Sequence, residues 1–238
     1  MIKNKIAQFP FLNIKFIGFG LGVLCFLGCA SLGGHKTVQP ADELKTLSQN
    51  IQQAIIVEPQ SDSQAVLTAW ELKNGRWFQK YSSMPAMVGR SGIAEFQMKR
   101  EGDGKTPSGI FEIKLAFGYD QRIDTKLMFR QATENDFWVD DVKSPQYNQW
   151  VVGKPNASSF EDMKRKDSLY KLGAVIEYNT GPIIPGYGSA IFLHIWKENG
   201  KSTSGCVALA EENVKQLLAW LDVKRSPVII IKTHHKPS

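Results

Sequence analysis

The chain has 238 residues, 42% hydrophobic and 22% charged, with a formal net charge of +6. That is enough apolar material to bury a core in one medium domain with a short appendage, and it excludes disorder throughout. Lys3, Lys5 and Lys15 carry part of the charge ahead of an apolar run, so the remainder is only mildly basic. Its Arg and Lys are not interleaved with aromatics along any stretch, which excludes nucleic acid as a partner.

The run from Phe16 to Leu27 is uncharged and suits the core of a signal peptide. It ends in Phe26-Leu27-Gly28-Cys29, which resembles the lipobox of bacterial lipoproteins, with Phe26 where Leu is usual. This predicts a signal peptide over 1–28 and a lipid on Cys29. An uncleaved anchor stays open as an alternative, because the uncharged stretch runs on through Gly34 and just reaches spanning length, and so does simple secretion. Residues 29–50 then form a lipidated N-terminus and polar tether, closed by a short helix over Asp42–Asn50 with Leu44, Leu47 and Ile51 at helical spacing.

The folded domain is expected over 51–238. Ala54–Val57 reads as a strand, and Ala65–Leu72 and Trp77–Met84 flank Asn74-Gly75, a strong hairpin signal. Further strands are expected at Gly109–Leu115, Phe137–Val139, Ala174–Tyr178, Ala190–Trp196 and Val228–Lys232. Asn156–Tyr170 is polar and aperiodic and reads as a loop, with Asp140-Asp141 and Glu161-Asp162 as solvated charge. Val214, Leu217, Leu218 and Leu221 make Glu211–Asp222 an amphipathic helix. Many short strands with Gly and Pro punctuation predict a mostly β sandwich or flattened barrel with a few short helices.

Of the three cysteines, Cys25 and Cys29 belong to the export segment, which leaves Cys206 alone in the folded part, without a disulfide partner. A structural buried cysteine is the plain explanation. Of the four histidines, His35 is in the tether and His234 and His235 are in the tail, so His194 alone lies within an element. If Asn199 and Gly200 form the two-residue loop of a hairpin, His194 falls opposite Gly205 and beside Cys206, near enough for a nucleophile and its base. Adjacent strand residues face opposite sides, so this register requires Cys206 to leave strand geometry at a bulge near Gly205. The backbone N–H groups of Ser204, Gly205 and Cys206 are candidates for an oxyanion hole.

Thr203-Ser204-Gly205-Cys206-Val207 downstream of His194 resembles the [S/T]-x-G-C signature of the YkuD-type L,D-transpeptidase catalytic domain. The stretch from Arg100 to Phe111, with Thr106-Pro107-Ser108-Gly109-Ile110-Phe111, resembles that family's Thr-Pro-x-Gly-x-Phe turn and strand. The resemblance implies a mostly β fold, a cysteine acyl-enzyme with Cys206 as nucleophile and His194 as base, and peptidoglycan stem peptides as substrate. It also implies that the imidazole is oriented by a backbone carbonyl, here that of Ile195.

Ile195 follows His194 where many members have Gly, Cys206 comes 12 positions after His194, and Ala208 stands where Arg is usual. These features resemble the branch carrying Gly-Ser-Ala-Ile-Phe-Leu-His, here Gly188–His194, with Gly-Cys-Val-Ala-Leu. Arg100, Tyr187 and Thr203 are candidate substrate contacts; a polar Gly-rich turn also explains Arg100, Glu101, Asp103 and Lys105 and is the favoured reading of them, and Tyr187 reads equally well as a loop packing residue.

No metal-ligand spacing or phosphate-binding Gly loop occurs, so no cofactor is expected. The expected function is a murein L,D-transpeptidase passing the acyl group to an amine. The alternatives are an L,D-carboxypeptidase with the same nucleophile and a non-catalytic wall-binding lipoprotein. The expected location is periplasmic, held to a membrane by the lipid on Cys29. Ala30 favours the outer membrane, by analogy with the sorting rule of enteric lipoproteins.

Overall fold

A computed structural model describes residues 42–197 and 200–234. The expected signal segment, Cys29 and most of the tether lie outside the described residues. Helix α1 (Asp42–Lys45) is shorter than expected. The side chains of Thr46 and Ser48 bond to Glu43 O and Asn50 Oδ1, competing with helix propagation. Leu44, Leu47 and Ile51 still pack together, against Ala54, Ile56, Trp70, Val228 and Ile230.

Strands β1 (Gln53–Pro59), β2 (Gln64–Lys73) and β3 (Arg76–Gln79) follow as expected. Lys73 pairs with Arg76 across Asn74 and Gly75, both at positive φ (50° and 74°), the conformation a two-residue hairpin needs. The strand expected over Trp77–Met84 is two: β3 stops at Gln79, and β4 (Met84–Met87) pairs with the other half of β2. A short parallel pair, β5 (Ile93–Ala94) and β6 (Thr106–Pro107), precedes β7 (Gly109–Glu112), β8 (Leu115–Gly118) and β9 (Met128–Gln131).

A separate three-stranded sheet comes next, formed by β10 (Asp136–Val139), β11 (Gln149–Val152) and β12 (Phe160–Asp162), with β10 in the middle. β12 lies inside the segment read as a loop; three residues are too few to show a period. The chain then returns to the main sheet through β13 (Leu172–Val175), β14 (Phe192–Ile195), β15 (Val207–Leu209), helix α2 (Glu211–Trp220) and β16 (Val228–Ile231).

The main sheet has 11 strands in the order β7-β16-β1-β2-β4-β15-β14-β13-β8-β9, with β3 beside β2. The fold is mostly β with two short helices, as expected. Its central strands are buried on both faces. On one face Leu193, Ile195, Val207 and Leu209 join Ile55, Val57 and Leu67 in an aliphatic core, closed by Val214, Leu217 and Leu218 of α2. On the other face Phe192 and Cys206 meet Phe117, Trp138 and Tyr170, so the small sheet around β10 covers the side of β14 that α2 does not.

Candidate active site

His194 is on β14 and Cys206 immediately precedes β15, but the two strands are parallel and do not form the expected hairpin. Leu193 pairs with Val207, His194 with Ala208 and Ile195 with Leu209. Parallel neighbours need a crossover of about a dozen residues, and the chain between Ile195 and Cys206 supplies one. Its return leg is pinned to the segment after β4: Thr203 N donates to Val88 O at 2.9 Å, and Arg90 N donates to Thr203 O at 2.8 Å. In this register Cys206 is level with Phe192, two residues from the level of His194. Residues two apart share a face, so no bulge at Gly205 is needed to bring thiol and imidazole to one side. Gly205 serves close packing: a Cβ there would lie 3.1 Å from both Lys105 O and Ile191 Cδ1.

The Cys206 sulfur sits between two backbone groups. Phe192 N–H donates to Sγ at 3.4 Å, and the thiol donates to Ala190 O at 3.3 Å. Burial pushes the thiol up to about 12; the Glu161 carboxylate adds to the rise, and the Phe192 N–H, Arg165 and Lys99 oppose it. His194 is 5% exposed, and burial holds its imidazole down at about 4. Its Nδ1 lies 2.7 Å from Ile195 O. A carbonyl only accepts, so Nδ1 carries the proton and Nε2 is left as the basic nitrogen. The Tyr170 ring meets the imidazole edge-on at 5.2 Å. The resting pair is therefore a neutral thiol and a neutral imidazole.

Both groups line a cleft of about 480 Å³. Its acidic members are Glu101, Asp140 and Glu161, and its basic ones include Arg90, Lys99 and Arg165. Asp140 and Glu161, read from sequence as solvated, thus belong to the cleft wall. Burial raises both carboxyls, and one oxygen of Asp140 is buried without a partner among the described residues. The Tyr170 hydroxyl donates to Glu161, and Arg165 lies 3.8 Å from the same carboxylate. These residues come from or follow β12, and an aperiodic sequence gave no signal for them. Lys99 is 3% exposed, its Nζ 2.7 Å from both Arg100 O and Asp103 Oδ1.

The other sequence candidates divide. Gly205 N–H is committed to Thr203 Oγ1 at 3.1 Å, which removes it from the expected oxyanion hole and leaves Ser204 and Cys206 as the candidate donors. Thr203 lines the cleft, but its hydroxyl donates to Cys206 O at 2.7 Å, so it staples the turn that carries Cys206. Thr106 does the same from the other side, donating to Cys206 O at 3.3 Å while accepting from Gly89 N at 2.8 Å. Arg100 and Tyr187 are outside the cleft lining: the guanidinium lies 4.4 Å over the Tyr187 ring and donates to Gln97 O and Lys99 O. Asp103 organises the Gly-rich turn, accepting from Arg100 N and Lys105 N. Among the described residues no group of His, Cys, Asp and Glu has the geometry to hold a metal ion.

Residues 52–230 match the profile of the L,D-transpeptidase catalytic domain, YkuD. The chain belongs to this family. No curated protein matches the sequence. Among solved structures it is similar to the helical cell shape determining protein Pgp2 from Campylobacter jejuni, with 14% identity and a TM-score of 0.42. That alignment covers 78% of this chain and 49% of the other, so the chain spans about half the length of that relative. The L,D-transpeptidase-type domain has Cys206 and His194 on one cleft wall, with the Thr203 and Thr106 hydroxyls on the Cys206 carbonyl behind them. Ala208, where the family signature usually has Arg, pairs with His194.

Proposed function

We propose that the chain is an exported murein L,D-transpeptidase that forms a thioester on Cys206 from a tetrapeptide stem of peptidoglycan and transfers it to an amine. The observation that carries the reading is that the one described cysteine and a buried histidine with a fixed tautomer share a strand face and line one cleft.

His194 Nε2 takes the thiol proton as Sγ attacks the carbonyl of the L-to-D peptide bond. With both groups neutral at rest, thiolate develops together with attack, where the tetrahedral oxygen is met by the backbone N–H groups of Ser204 and Cys206. The proton on His194 then passes to the leaving amine, the D-amino acid departs, and Cys206 holds the acyl group as a thioester. An acceptor amine attacks that carbonyl, gives up a proton through His194, and restores the thiol. The cleft's mixed charge suits a substrate carrying both carboxylates and ammonium groups, as stem peptides do. The same reading keeps the protein outside the cytoplasmic membrane, held through a lipid on Cys29.

The experiment supplies purified protein with a disaccharide tetrapeptide over a range of added D-amino acid or second stem, and follows products by mass. Exchanged or cross-linked stems that increase with acceptor are expected, since a bound amine at high effective molarity outruns water. Tripeptide alone, at a rate indifferent to acceptor, would make the enzyme an L,D-carboxypeptidase with the same nucleophile. No product at all would favour a wall-binding role.

A further inference from the structure

The carbonyl that accepts the Cys206 thiol belongs to Ala190, and Ala190 is in an unusual state. Its φ is +53°, a left-handed conformation that an L-residue with a Cβ adopts at a cost, and it is 6% exposed. It stands two residues before β14, where the chain passes from the cleft wall into the sheet. Something outside the strand has to hold it.

That group is Asn148, which is 3% exposed and uses its whole amide. Oδ1 accepts from Trp138 Nε1 at 2.9 Å and from Ala190 N at 3.1 Å. Nδ2 donates to Tyr178 O at 3.2 Å and to Asn179 O at 2.7 Å. Two N–H groups meet the oxygen and two carbonyls meet the nitrogen, so the amide has one orientation and flipping it would break all four bonds. The Asn148 backbone is itself left-handed, at φ +55°, which asparagine tolerates better than most residues. Asn148 thus joins three pieces: Trp138 on β10, the backbone at 178–179, and the kink at Ala190.

We propose that Asn148 is the positioning residue for the Cys206 thiol, acting through Ala190: it locks Ala190 in the left-handed conformation that aims the Ala190 carbonyl at Sγ. The inference rests on Cys206 being the nucleophile. With the carbonyl on one side and Phe192 N–H on the other, the thiol is held in one direction and kept protonated while the cleft is empty. A carbonyl stabilises S–H and repels a thiolate, so it acts as a restraint on premature ionisation.

Without the Asn148 amide, Ala190 relaxes toward negative φ and the carbonyl turns away. The resting thiol then ionises at lower pH, although turnover falls because its aim is lost. Other charged and titratable groups surround the thiol: Glu161, Arg165 and Tyr170 from β12 and the segment after it, Lys99 from the turn before β6, His194 from β14, and, in the same cleft lining, Arg90, Glu101, Asp140, Lys197 and Lys201. None of them bonds to the Asn148 side chain.

The experiment measures iodoacetamide alkylation of Cys206 against pH, located by peptide mass, together with kcat and KM on a tetrapeptide stem. Asn148→Gly accepts the backbone conformation and deletes the amide. It is expected to lower the alkylation midpoint by one pH unit or more and to lower kcat at least tenfold, with KM within about threefold. Adding Ala190→Gly removes the conformational cost, a factor of roughly tenfold in population, and should restore part of both effects.

Asn148→Asp keeps both acceptor contacts, including the one to Ala190 N, and gives up the two donations to the 178–179 carbonyls, so it isolates the Ala190 half of the lock if the glycine variant does not fold. Its midpoint should stay or rise, because acceptance is retained and a charge is added. An unchanged midpoint in folded Asn148→Gly, no recovery in the double variant, or a lowered midpoint in Asn148→Asp would each overturn the proposal. A wild-type enzyme inert toward stems would sink the functional reading, and the alkylation arms would still decide this one.

Discussion

Strand β14 has two faces with different jobs. Leu193 and Ile195 point into an aliphatic core under α2, where shape and apolar area are all that is asked. Phe192 and His194 point the other way, toward aromatic rings, Cys206 and a charged cleft. One face is redundant and the other is not. Many aliphatic side chains share the load on the core side, whereas on the cleft side a single bond, His194 Nδ1 to Ile195 O, fixes the tautomer of the imidazole. Because adjacent residues on one strand serve the two roles, neighbouring substitutions should separate stability from turnover.

The largest separation is expected between Leu193→Ala and His194→Ala. Leu193 is fully buried, and its truncation leaves a dry cavity, costing about 2–5 kcal/mol in chemical denaturation with little change in kcat per folded molecule. His194→Ala opens onto the cleft, where water fills the space. It should cost less stability than Leu193→Ala and lower turnover by about a thousandfold or more. Equal turnover losses in both variants would erase the distinction between the faces.

A smaller effect sharpens the same contrast through pH. An unfolded imidazole protonates near 6.5, whereas folded His194 resists protonation until about 4. Between those values the unfolded state binds more protons, so stability is full above pH 6.5 and is lost as pH falls toward 4. The shift corresponds to a contribution on the order of 3 kcal/mol. His194→Gln removes it, so the difference in unfolding free energy between variant and wild type should change across that window. Leu193→Ala should run parallel to wild type. Parallel curves for His194→Gln would show that the imidazole is not buried neutral.

The two faces also differed in how far they could be read from sequence. The core face announces itself by period: β1, the β2–β3 hairpin at Asn74-Gly75 and helix α2 with Val214, Leu217 and Leu218 fall where the pattern puts them. Counting singled out Cys206 and His194, and both line the cleft. Strand direction did not follow from counting, because Asn199-Gly200 signals a turn without saying where the chain goes next; the docking of Thr203 on Val88 and Arg90, and the pairing of Ala208 with Met87 of β4, set β15 parallel to β14. Glu101 and the Thr203–Gly205 turn also lay in motifs the sequence carries, but the part of the cleft built by β10, β12 and the segment after β12 was illegible. Glu161, Arg165 and Tyr170 come from a segment with one three-residue strand, and Asp140 follows β10 in a sheet far from Cys206 in sequence. Residues that meet only in the folded chain leave no local period, and Asn148, whose four bonds reach 138, 178, 179 and 190, is the clearest case.

The central claim is that Cys206, deprotonated by His194 as it attacks, carries the acyl group. The most direct measurement is intact-protein mass spectrometry of the enzyme quenched in acid during turnover of a disaccharide tetrapeptide, with the modified peptide then sequenced. The account predicts an adduct equal to the stem less its terminal D-amino acid, on Cys206, absent from Cys206→Ala and accumulating far more slowly in His194→Ala. Stem turnover by Cys206→Ala, or an adduct on any other residue, would contradict it.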